Sequence, residues 1–175
     1  MWSPAPEIKG IPTLPLIAGT FFFTGLSPIA SGTVGSLAGV AIYYFVPGFQ
    51  NPVVLSVGCI VVLVAGIWSG GVIERALGVQ DPGIVVIDEV FGQWIALAFG
   101  FGYPHDPSCM HDRSCGPDLR FIALAFVFFR IFDVLKPPGA RYFERKPGGT
   151  GIMLDDGVAG IYAGIAARLC MYVIS

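Results

Sequence analysis

The sequence predicts an all-α, polytopic integral membrane bundle of about four spans, preceded by an N-terminal re-entrant or interfacial helix. Three observations carry this expectation. Hydrophobic residues make up 54% of the 175 residues and charged residues 13%, against roughly 25% charged in soluble domains; the mean hydropathy is +0.73. Residues 53–73 hold no charge, over a length that crosses a bilayer as a helix. The polar residues gather in short clusters between apolar runs, and apolar runs in lipid are helical because unpaired backbone is not tolerated there. The length fits a single domain spanning 1–175.

Taken in order, the N-terminus does not read as a secretory signal. Lys9 alone supplies positive charge, and Pro4, Pro6, Pro12 and Pro15 break the apolar helix before it starts. Residues 13–30 are apolar but interrupted by Gly19, Gly25 and Pro28, which suits an interfacial or re-entrant piece. The turn from Ser31 to Ser36 starts a helix that Pro47 and Gly48 close, and 53–73 is the clearest span. Residues 84–103 are apolar again, with Asp88, Glu89 and Gln93 in their first half. The polar loop 104–118 carries His105, Cys109, His111 and Cys115, whose spacing leaves a zinc site, a disulfide and a plain polar loop all open. Residues 119–135 form another span that ends in Arg130, Asp133 and Lys136. A basic loop rich in Pro and Gly follows to 150, and the last span runs from about 152 to 174. Cys59 and Cys170 sit in apolar runs as packing residues. Gly35-x3-Gly39, Gly66-x3-Gly70 and Gly160-x3-Gly164 imply close helix packing.

Threaded alternately through a bilayer, the helix from 33 and the 53–73 span make one hairpin. Arg75, Arg130, Lys136, Arg141, Arg145 and Lys146 then fall on one side, which the positive-inside rule names cytoplasmic. The net charge of −2 gives no basic stripe, so nucleic acid is not an expected partner. Nothing in the sequence fixes the oligomeric state.

Four polar clusters fall on that same side. Asp88-Glu89 and Asp155-Asp156 are adjacent carboxylate pairs just inside apolar helices. Acids in such places are paired, wet or bound to a cation, and a hard cation such as Mg²⁺ takes oxygen ligands together with substrate phosphate. Asp88, Glu89, Asp155 and Asp156 are therefore the candidate metal ligands. Arg130-x2-Asp133-x2-Lys136 puts three charges near one helix end; Arg130 and Lys136 suit phosphate, and Asp133 suits a further metal ligand or a base. Ser27, Thr33 and Ser36 add hydroxyls around a helix N-terminus, a natural anion site. The alternative to these readings is capping and intrahelical pairing of ordinary helix ends.

These residues also carry a family resemblance. Ser27-Pro28, Gly32-Thr33-Val34-Gly35-Ser36, the Ile84–Gly92 stretch, the Phe129–Pro137 stretch and the Gly148–Gly160 stretch together resemble the phosphatidylglycerophosphatase A family in order and spacing. The resemblance implies a Mg²⁺-dependent lipid phosphatase of the bacterial inner membrane, with its site at the cytoplasmic face. Its membrane phospholipid substrate would be phosphatidylglycerophosphate, hydrolysed to phosphatidylglycerol and phosphate. By similarity Asp88, Asp133 and Asp156 become catalytic candidates, while the attacking group stays open between a water and an aspartate. A different class, a small ion or proton transporter with intramembrane carboxylates, is the rival reading.

Overall fold

The computed structural model describes residues 10–101 and 118–174. The His105, Cys109, His111 and Cys115 loop lies outside them. All regular structure among the described residues is helical: α1 (Thr13–Gly19), a 3₁₀ turn (Thr24–Leu26), α2 (Ser31–Phe45), α3 (Pro52–Leu77), α4 (Ile87–Ala98), α5 (Leu119–Leu135), α6 (Ala140–Glu144) and α7 (Gly149–Ile174).

Among the described residues two helices are long and apolar enough to cross a membrane, α3 and α7, each of 26 residues; at 1.5 Å per residue each extends about 39 Å. Local chemistry sets their ends. Pro52 opens α3 behind Asn51, whose side chain accepts from the Val53 amide, and Gly78 ends it in the left-handed conformation. Both helices turn bulky apolar side chains outward, among them Ile60, Val61 and Val64 on α3 and Ile165 and Leu169 on α7. Inside lie polar groups such as Ser36, Ser69, Gln93, Asp88 and Asp156. The rest of the interior is apolar, with Leu55, Ile73, Leu97, Phe129 and Met153 fully buried, so bulky apolar side chains lie both inside and outside.

The 84–103 run forms a shorter helix than its apolar length implies. Pro82 and Gly83 hold a turn in which Val85 donates to the Pro82 carbonyl, and the Val86 amide donates to Gly19 at the end of α1. Those backbone groups are satisfied outside a helix, so α4 begins only at Ile87 and spans 12 residues. Residues 13–30 give the interrupted structure their breakers imply: α1 covers seven residues, and Phe21, Phe22 and Phe23 follow it with positive φ.

α4 and α7 together form the hub: α4 packs against α2, α3, α5 and α7, and α7 against α3, α4, α5 and α6. The expected hairpin of α2 with α3 does not pack as a pair; each packs on α4 instead. Trp94 explains this, because it sits against Phe49 of the connecting turn, with ring centroids 4.6 Å apart, and donates Nε1–H to the Gly39 carbonyl of α2. The glycine spacings serve close packing as expected. A Cβ on Gly160 would strike the Gly92 carbonyl, one on Gly164 the Phe99 ring, and one on Gly35 the Val86 side chain. Arg168 closes the far end of α4 by donating to the carbonyls of Phe99 and Phe101.

Gly160→Val should force α4 and α7 apart and destabilise the fold by about 1–3 kcal/mol. A lowered midpoint of thermal unfolding in detergent checks it, with a larger drop expected than for Ile161→Val on the exposed face of α7.

Candidate active site

The polar clusters separated in sequence meet at one end of the bundle. Asp88 and Glu89 occupy the first turn of α4, and Asp156 lies two turns into α7. Each offers one carboxylate oxygen to a group whose members lie within 4.8 Å of one another. Asp88 and Asp156 are buried and Glu89 is half-buried. The backbone seam between α4 and α7 causes this meeting, since Gly92 sits against the Asp156 carbonyl and Gly157 against the Phe91 ring.

Asp88 Oδ1, Glu89 Oε2 and Asp156 Oδ2 are buried without a hydrogen-bond partner. A buried, unpartnered acceptor is costly, and three carboxylates so close repel one another strongly. A divalent cation removes both penalties, and an all-oxygen donor set suits a hard one. The residues therefore fit a metal ion.

Asp155 is used differently. Its Oδ2 accepts from Lys136 Nζ at 2.8 Å and its Oδ1 accepts from the Asp156 amide at 3.0 Å. It stands beside the three-acid group rather than among its members. Lys136 also meets Glu144 at 3.0 Å. Partial burial pulls the Lys136 ammonium downward, but hydrogen bonds and charge from Asp155 and Glu144 outweigh it and hold the group above the ordinary lysine value. It is a permanent cation at neutral pH.

Arg130 takes the other flank. Its Nη1 lies 3.0 Å from Asp133 Oδ2 and 3.3 Å from Ser36 Oγ. Asp133 is near enough that its charge acts on both Glu89 and Asp156. A Cβ on Gly32 would collide with Glu89 Oε1 and approach Arg130 Nη2 at 3.2 Å, so the glycine lets α2 lie against this pair without displacing either side chain. Ser36 is fully buried and donates to the Gly32 carbonyl at 2.9 Å, which leaves it aiming Arg130.

Not every hydroxyl joins the cluster. Ser27 Oγ is turned back to the Ile29 carbonyl of its own turn, 2.9 Å away. Thr33 is half-buried in the first turn of α2. Ala30, in the left-handed conformation, rather than a serine or threonine caps that helix, while Ser31 donates to the Gly83 carbonyl at 2.8 Å and ties α2 to the entry of α4. Sequence reasoning missed two residues. Glu144 sits on Lys136, and Glu74 Oε1 accepts from the Gly148 amide at 2.8 Å, fixing the start of α7 to α3. Both lie at helix ends where exposed acids are common, so the sequence marked neither as part of the site, and Glu144 stood out only as a departure from the family pattern beside Arg145.

Residues 17–171 match the family model described as Phosphatidylglycerophosphatase A. The chain belongs to the phosphatidylglycerophosphatase A family. It is therefore an enzyme, a phosphoric monoester hydrolase. It is 38% identical over 144 residues to the Escherichia coli K12 protein named Phosphatidylglycerophosphatase A, covering 80% of this chain and 73% of that one. A Haemophilus influenzae protein of the same name is 33% identical over 154 residues, 86% and 85% of the two chains. A Bacteroides thetaiotaomicron protein, provisionally named a phosphatidylinositol-3-phosphatase, is 37% identical over 167 residues, 92% and 96% of the two chains. No solved structure matches.

Removing one acid should relieve repulsion while breaking the cation site. Asp88→Asn, Glu89→Gln and Asp156→Asn are each expected to raise the thermal midpoint in EDTA. Each should also lose the stabilisation that a divalent cation held there would give the unsubstituted protein, about 2.7 kcal/mol at a hundred times Kd. Thermal unfolding with and without Mg²⁺ reads both effects.

Proposed function

We propose that this protein is a Mg²⁺-dependent lipid phosphatase that hydrolyses phosphatidylglycerophosphate to phosphatidylglycerol and phosphate. The observation that carries the reading is the group of Asp88, Glu89 and Asp156 with its three unpartnered oxygens, flanked by Arg130 and Lys136. Two relatives carry that activity in their names.

Asp88, Glu89 and Asp156 would hold the cation. Bound there, Mg²⁺ supplies charge neutralisation and polarisation of the phosphoryl oxygens. Arg130, kept in line by Asp133 and Ser36, presents its planar fork to the phosphate. Lys136 adds a point charge from the opposite flank, where Asp155 holds it. Asp155 thereby acts through Lys136 instead of as a fourth metal ligand. Asp133, ion-paired to Arg130, would take the proton of an attacking water while it aims that guanidinium. Ser27 and Thr33 would act at the rim, meeting the headgroup rather than the transferred phosphoryl group.

In the membrane, α3, α7, α5 and the α4 segment would make up about four spans, with α1 and its turn in the interface. The basic residues Arg75, Arg141, Arg145 and Lys146 gather near the cluster's end of the bundle, which favours the cytoplasmic face of the bacterial inner membrane. A phosphate ester at headgroup depth reaches acids at helix ends without crossing hydrocarbon. An ion pathway has no such match to the flanking cations, so the phosphatase reading is the better supported.

Purified protein in detergent is expected to release phosphate from phosphatidylglycerophosphate with Mg²⁺ and to stop in EDTA. Asp156→Asn should lower kcat/KM by about a hundredfold or more, since loss of metal-borne charge stabilisation is worth several kcal/mol. A folded sample that releases no phosphate under either condition would sink the reading.

A further inference from the structure

We propose that Glu144 is a displaceable stand-in for substrate: its carboxylate occupies the seat on Lys136 where a phosphate oxygen binds. The proposal rests on the phosphatase reading above and deepens it. Lys136 ends α5 in the left-handed conformation, with φ of 47°, and its ammonium meets two acids, Asp155 at 2.8 Å and Glu144 at 3.0 Å.

The two partners are unequal. The Asp155 side chain is 5% exposed and that of Glu144 is 45% exposed. Taking Asp155 away would leave a buried charge uncompensated, which is strongly unfavourable. Releasing Glu144 returns an exposed carboxylate to water, and exposed pairs are weak. When a phosphate arrives, Glu144 is the partner that yields.

The surroundings allow the exchange. Gln80 Nε2 donates to the backbone carbonyl of Glu144 at 2.9 Å, so the side chain can turn outward while α6 stays docked. Glu144 also lines an open depression with Gln80, Asp81, Lys146, Ile152 and Asp155. Its departure widens that depression toward Lys136. Lys146, held 4.6 Å from the centre of the Tyr142 ring, brings a second cation to the same place. Until a phosphate enters, Glu144 keeps Lys136 neutralised and lowers affinity for weaker anions.

The test compares the unsubstituted protein with Glu144→Gln and Glu144→Ala. KM is measured on phosphatidylglycerophosphate in mixed micelles, and Kd for inorganic phosphate by calorimetry in the presence of Mg²⁺. Both constants should fall about fivefold, the worth of one exposed ion pair, with the gain in kcat/KM carried by KM. A structural anchor would instead lower the thermal midpoint and kcat, leaving phosphate Kd unchanged or weaker. That pattern in both variants overturns the proposal. If the unsubstituted protein releases no phosphate from the lipid, the phosphatase reading fails by itself. The calorimetric arm still decides the stand-in: tighter phosphate binding upholds it and unaltered binding refutes it.

Discussion

The contact between the α4 and α7 backbones is the constraint on which the rest depends. Gly92, Gly157, Gly160 and Gly164 remove every side chain that would separate the helices, so carbonyls and rings fill the seam directly. Dispersion along such a seam replaces the hydrophobic effect, which offers little between helices in lipid. The same closeness forces Asp88 and Asp156 together. Packing energy gathered along the whole interface thus holds a locally repulsive cluster in place.

Around that cluster the fold divides labour by flank. On the α2 and α5 side, Gly32, Ser36, Arg130 and Asp133 form a rigid cation held by a hydroxyl and a carboxylate. On the α6 and α7 side, Lys136 is shared between a buried acid and an exposed one. The ion pairs the two cations make are to Asp133, Asp155 and Glu144, beside the group of Asp88, Glu89 and Asp156.

Much of this was legible in the sequence. The 53–73 run stood out by composition, because an uncharged apolar stretch of that length has few other uses, and the Leu119–Leu135 helix by the apolar run between Arg120 and Arg130. The carboxylate pairs were visible because acids beside long apolar runs are rare. Asp155 and Asp156 could not be separated in advance, since neighbours on a helix point about 100° apart and which one faces inward depends on where α4 packs. The short α4 was hidden for a similar reason: Val86 donates to Gly19, a partner 67 positions away that no local pattern names. Lys136's second partner and the Trp94 wedge between α2 and α3 are likewise long-range facts.

The seam has a consequence for how such enzymes diversify. Because α4 and α7 touch through main chain, a substitution there shifts backbone and disturbs the acids with it. Gln80, Asp81, Glu144 and Lys146 sit on an open rim whose side chains can be exchanged without moving either helix. Change at this rim is therefore cheap for the fold, and change at the seam is not.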